Sequence, residues 1–212
     1  MTQLPVRLYT IVTMNTITIS PQLTALAAYI KQNMDFARFA RLTRALGNQA
    51  NSEQLRFFKA VIFERSMETY SQGKLVYVGQ EGCDLLVPQL NNARVEMKYV
   101  EGALYTTSRR QLRENTGGIK LMNSMGTNTH KTLPANYADY LIYIGCQGAM
   151  LFDRATLEDH MVAGGDGITA NLPTNRGVLL AGPDVMTPGR QEEVDFLGTL
   201  MKFVDSYINS VK

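Results

Sequence analysis

Cysteine is nearly missing: Cys83 and Cys146 are the two among 212 residues. They form neither a metal-ligand spacing nor a disulfide framework. Buried free thiols in a reducing cytoplasm are therefore the expectation. Histidine is as sparse. His130 has no second histidine at a zinc-binding distance, and His160, in LEDHM, reads as a structural histidine on a helix. A charge excess is lacking too: 21 Lys and Arg face 19 Asp and Glu, for a net charge of +2 and a pI near 8.5. That is too mild to demand a polyanionic partner, although a local basic cleft can sit on a near-neutral protein. No apolar run approaches a membrane span, and the N-terminus carries no signal-peptide pattern. Neither GxGxxG nor GxxxxGK occurs, so no nucleotide pocket is expected. No nucleophile–base pair or cofactor fingerprint supports a small-molecule α/β enzyme. Repeats and low-complexity tracts are absent.

What remains describes a globular chain. Hydrophobic residues make up 45% of it, and 212 residues suffice for one domain with a substantial core. The expected class is α/β, a central mixed β-sheet flanked by helices. Residues 1–50 read as an N-terminal strand and helices, suited to dimerisation or to contacting a partner, and 51–212 as the core.

Val6–Ile19 is rich in Val, Ile, Thr and Tyr and reads as extended. Ser20-Pro21 is a helix start, N-cap then proline, with the helix running to about Asn33. Asp35 caps a second helix, DFARFARLTRALG, closing at Gly47. Its Arg38, Arg41 and Arg44 share a broad face, either solvated or a phosphate-contacting ridge. A third helix runs from Glu53 to about Gln72, with Leu55, Phe58 and Ile62 as its apolar stripe, widened by Phe57 and Val61. Lys74–Val78 is a short strand. Gly118–Met122 reads as a strand, and Tyr137–Gly145 as a central strand covered on both faces. Ala149–Phe152 is a further strand, Arg154–Val162 a helix, Gly164–Gly177 a glycine-bearing loop, Val178–Ala181 a strand, and Gln191–Val211 a last helix with an apolar stripe.

The chemistry concentrates in EGCDLLVPQLNNARVEMKYVEG, residues 81–102. Two apolar runs, Asp84–Val87 and Val95–Val100, flank a polar turn and read as a β-hairpin. Side chains alternate along a strand, so Glu96 and Lys98 point one way and Met97 the other, into the core. Asp84, Glu96 and Lys98 can then converge. Carboxylates bind a hard divalent cation such as Mg²⁺, and a lysine beside them can orient water or offset charge. An ordinary amphipathic hairpin with a solvated Glu–Lys pair is the other reading of the same residues.

Asp84, followed twelve positions later by Glu96-Met97-Lys98, resembles the PD-(D/E)xK nuclease superfamily, most closely a type II restriction endonuclease. The likeness covers the hairpin and the preceding helix, about a quarter of the chain. It departs from the pattern at Cys83, where the motif has proline. The resemblance implies a restriction-endonuclease-like core of helix, hairpin, strand, helix, strand. It implies Mg²⁺ held by Asp84 and Glu96, a contribution from the Met97 carbonyl, and Lys98 positioning the attacking water. It also implies an acidic residue on the helix behind the hairpin, which falls on Glu64, with Glu68 as the alternative. Double-stranded DNA would be the substrate, cut by a homodimer on a palindromic site.

Two polar stretches suit that substrate. Tyr105–Gly118 holds Arg109, Arg110 and Arg113, whose forks fit phosphates and guanine edges. The segment from Met122 to Tyr137 offers Asn123, Ser124, Thr127, Asn128, His130 and Lys131. A solvated surface loop or short helix is the alternative for the first. A junction resolvase or repair nuclease, or a non-catalytic DNA-binding or interaction domain, would use the same features.

Overall fold

The computed structural model describes residues 19–47, 53–80, 82–99, 119–123, 132–145, 148–164 and 167–186. All of the extended segment expected over Val6–Ile19 except Ile19, together with Cys146 and the helix expected over 191–211, lies outside them. Three helices come first: α1 (Pro21–Asn33), α2 (Phe36–Gly47) and α3 (Glu53–Tyr70). α1 starts on its predicted cap. Ser20 Oγ accepts the Leu23 N–H at 3.1 Å, and Pro21 sits where a missing N–H costs nothing. Asp35 does the same for α2, accepting the Arg38 N–H at 3.0 Å. The arginine face of α2 is solvated only in part: Arg38 is exposed and pairs with Asp35 at 3.4 Å, whereas Arg41 is half-buried.

The strands are β1 (Val76–Gln80), β2 (Cys83–Val87), β3 (Ala93–Tyr99), β4 (Ile119–Asn123), β5 (Tyr140–Gly145), β6 (Gly148–Asp153), β7 (Met161–Gly164), β8 (Gly167–Ala170) and β9 (Val178–Ala181). Two short helices, α4 (Arg154–Asp159) and α5 (Pro183–Met186), follow β6 and β9. Six strands form one sheet in the order β1-β2-β3-β5-β6-β9. β3 and β5 run parallel, and the other neighbours are antiparallel, so the sheet is mixed and the class is α/β. A parallel pair needs a long crossover. Here it is the chain between Tyr99 and Tyr140, which leaves the main sheet and contributes β4 to a second, three-stranded sheet ordered β4-β8-β7.

Alternation along the strands divides the core in two. Leu85, Val87, Val95, Met97, Ile142, Ile144, Ala149 and Leu151 pack with Leu23, Leu26, Ile30, Phe39, Phe63 and Met67 of the helices. Phe39 and Phe63 join α2 to α3 edge to face, 6.1 Å between ring centroids. On the opposite face Leu141, Met150 and Phe152 pack with Leu121, Ile168 and Ala170 of the small sheet and Leu157 of α4. β5 is thus covered on both faces, as its near-continuous apolar sequence requires.

Several elements differ from their sequence reading. The strand expected over Gly118–Met122 is found as β4, Ile119–Asn123, and it belongs to the small sheet. The predicted helix Arg154–Val162 stops at Asp159, because Met161 onward pairs with β8 (Met161↔Ala170). The glycine-bearing loop Gly164–Gly177 contains that β8, where Ile168 and Ala170 alternate into the core. α5 is not foreseen. Of the stripe expected on α3, Ile62 is buried and Val61 half-buried, with Phe63, Ser66 and Met67 buried beside them, while the side chains of Leu55, Phe57 and Phe58 lie outside the described ones. No helix among the described residues is long and apolar enough to cross a membrane.

One polar clamp holds the entry to β5. Arg154 donates to the carbonyls of Leu133, Pro134 (3.0 Å) and Tyr137 (3.2 Å) and pairs with Glu158 at 2.9 Å. Glu158 also accepts the Leu133 N–H at 3.1 Å. Replacing Arg154 by methionine keeps the aliphatic stem and removes the fork. The expected cost is about 2 kcal/mol, read as a drop of roughly 4–8 °C in Tm.

Candidate active site

The hairpin of β2 and β3 turns through Pro88–Leu90 and two asparagines, Asn91 and Asn92, both at φ 55°. Asparagine tolerates this left-handed backbone better than other side chains. From the turn the strands pair Val87↔Ala93, Leu86↔Arg94 and Leu85↔Val95. The register carried one step further sets Asp84 across from Glu96. There the ladder changes character: Asp84 Oδ2, a side-chain atom, accepts the Met97 N–H at 2.7 Å. β3 instead keeps its other edge paired, Glu96↔Leu141 through Tyr99↔Ile144. The two strands fork, and the carboxylates stand in the fork.

Ahead of Asp84 the chain is pinned by Gly82. Its carbonyl accepts the Ala138 N–H at 2.7 Å. It has φ +75°, and a Cβ there would lie 3.2 Å from both the Cα and Cδ2 of Tyr137. A side chain at 82 would strain the backbone and press the aromatic ring.

Asp84 is 8% exposed and Glu96 4%. Met97 points into the helix-side core while Lys98 ion-pairs with Glu96 Oε1, as strand alternation predicts. Glu96 Oε2 is buried and meets no hydrogen-bond partner among the described residues. Glu64, on α3, completes the group electrostatically. Burial, then the charges of Asp84 and Glu96, push its carboxyl up to about 8 against the pull of Lys98. Burial and the Glu96 charge likewise hold Asp84 above the usual carboxylate range, opposed by the Met97 N–H and Lys98. Glu68, the alternative acidic residue, is half-buried on the same helix, and neither Asp84 nor Glu64 is shifted by its charge.

Three carboxylates therefore face one lysine. Desolvated carboxylates that repel each other are short of positive charge, which a hard divalent cation could supply. Among the described residues no three His, Cys, Asp or Glu side chains come together as a ready-made metal cage.

Tyr137 is the part of the site that the sequence does not single out. It is 1% exposed, its hydroxyl meets no partner among the described residues, and after burial the Glu96 and Asp84 charges push its phenol up. Cys83 is a buried free thiol, as expected, with its pKa raised by burial. His160 is also structural, its Nδ1 lying 2.9 Å from the Thr156 carbonyl. Asn123 closes β4, opposite Gly167. Arg109, Arg110, Arg113, Ser124, Thr127, Asn128, His130 and Lys131 lie outside the described residues. Comparisons with family models, with curated proteins and with solved structures returned no significant match.

Proposed function

We propose that the chain is a Mg²⁺-dependent endonuclease that hydrolyses phosphodiester bonds of double-stranded DNA, acting as a site-specific enzyme of the type II restriction kind. The observation that carries this reading is the fork between β2 and β3. It gathers Asp84, Glu96 and Lys98 with Glu64 behind them, and leaves the carboxylates short of positive charge. The succession of α3, β1 and the β2–β3 hairpin, with β5 parallel to β3, supports a restriction-endonuclease-like core. Asp84 and Glu96 would hold the cation, with Glu64 as the outer carboxylate. When bound, Mg²⁺ lowers the pKa of a coordinated water and offsets charge on the phosphate.

The chain's own residues do the rest. Asp84 is fixed by the Met97 N–H, so its free oxygen has a set direction. Lys98, paired with Glu96 and partly exposed, stands where it can orient the attacking water and stabilise charge building on the phosphoryl oxygens. An ion-paired ammonium donates hydrogen bonds and accepts none, which fits orientation better than proton abstraction. The arginine-bearing segment 105–118 follows in the chain directly after the active-site strand, placing phosphate-binding residues in sequence next to the chemistry. A symmetric dimer would set one such site on each strand of a palindrome.

The test is incubation of the purified protein with plasmid and phage DNA in Mg²⁺ and in EDTA. Discrete fragments with Mg²⁺ and none with EDTA are expected. Intact DNA under every divalent cation tried would sink the reading. Cleavage of branched junctions without sequence preference would move it to the structure-specific nucleases.

A further inference from the structure

Glu96 Oε2 and the Tyr137 hydroxyl are both buried, and neither meets a hydrogen-bond partner among the described residues. Buried polar groups without partners are rare and call for an explanation. These two are chemically complementary, since a carboxylate oxygen only accepts and a phenol donates. They are also electrostatic neighbours, because the Glu96 charge is the largest influence on the phenol after burial. The tyrosine is held at both ends. Its N–H donates to Pro134 O at 2.9 Å, its carbonyl accepts from Arg154 at 3.2 Å, and Ala138 is tied to Gly82, two residues before Asp84. Its ring carbon Cδ2 packs over Gly82 closely enough that a Cβ there would be 3.2 Å away. The fold spends an arginine clamp and a glycine on placing one aromatic ring behind the carboxylates.

We propose that Tyr137 is a positioning residue of the carboxylate site. When a divalent cation binds, its hydroxyl donates, directly or through one ordered water, to Glu96 Oε2 and fixes the orientation in which Glu96 meets the ion. This rests on the metal-dependent reading above. Groups that orient a metal ligand ordinarily change affinity by tenfold or more when removed.

The variant is Tyr137→Phe, which keeps the ring and its packing on Gly82 and deletes only the hydroxyl. Mn²⁺ binding to the full chain is measured by calorimetry, with Glu96→Gln as the control that loses a ligand. About tenfold weaker Mn²⁺ binding by Tyr137→Phe, with a Tm equal to or above that of the wild type in EDTA, supports the proposal. Equal Mn²⁺ affinity in the two proteins overturns it and leaves the nuclease reading standing. A Tm several degrees lower in EDTA overturns it as well, since the hydroxyl would then be a structural tie of the metal-free fold. Wild-type protein that binds no Mn²⁺ removes the metal site itself, and both readings fall.

Discussion

Replacing Asp84 by asparagine is expected to lower Mg²⁺-dependent DNA cleavage by at least about a thousandfold, and Lys98→Gln by a similar factor, while DNA binding survives. The size follows from what a metal ion contributes to phosphoryl hydrolysis, several kcal/mol, with each 1.36 kcal/mol worth tenfold in rate. Asparagine is the sharper variant at 84. Asp84→Ala would also strip the Met97 N–H of its acceptor, and a buried donor left alone costs about 1–3 kcal/mol by itself. Asparagine keeps an oxygen for that N–H and removes only the charge. Glutamine at 98 likewise leaves a donor beside Glu96, whose buried carboxylate would otherwise lose the Lys98 ion pair. Binding measured in EDTA is expected to stay level or tighten for Asp84→Asn, because one anion facing the phosphates is gone. Single-turnover cleavage and a gel-shift titration separate the two effects. Full-rate cleavage by both variants would rule out the assignment of these residues.

The hairpin is legible in the sequence because its information is local. Asp84, Glu96 and Lys98 lie within fifteen residues, and a period of two is enough to say that Glu96 and Lys98 share a side while Met97 does not. The caps of α1 and α2 are legible for the same reason: Ser20, Pro21 and Asp35 each act on a neighbouring turn. Tyr137 is not, since its role depends on a crossover that returns the chain beside β3 some forty residues later, and no local pattern encodes that return. The β7–β8 pair is hidden by brevity. Four-residue strands bounded by glycines look like loop until Ile168 and Ala170 are seen to share a core with Leu121. On α3 the spacing points to Ile62, which is buried, but not to Phe63, whose inward turn is made against Phe39 of α2. Of the residues suggested for DNA, Asn123 ends β4 of the small sheet, while Arg109, Arg110, Arg113, Ser124, Thr127, Asn128, His130 and Lys131 lie outside the described residues.

The metal-free protein is expected to lose stability as pH rises from about 5 to above 8, and Mg²⁺ should restore it. Glu64 sets the sign. Its carboxyl titrates near 8 in the folded chain against a reference of 4.5. Below 4.5 folded and unfolded chains both hold the proton, and its contribution is fully present. Between the two values the unfolded chain releases the proton while the folded chain keeps it, so each step up in pH favours unfolding. Above the folded value both are ionised and the loss is complete. Asp84, raised in the same direction, adds to the effect. Glu64 is only half-buried, so water screens part of the repulsion. After that discount the loss is on the order of 2 kcal/mol, or roughly 5 °C in Tm for a chain of this size. The informative quantity is the difference between wild type and Glu64→Gln. That variant cannot ionise at 64, and its Tm should fall less between pH 5.5 and 8.5. Millimolar Mg²⁺ at pH 8.5 should raise the wild-type Tm more than that of Asp84→Asn, because the cation offsets charges that the variant no longer carries in full. Parallel Tm–pH curves for wild type and Glu64→Gln, unmoved by Mg²⁺, would mean that these carboxylates do not share one electrostatic site.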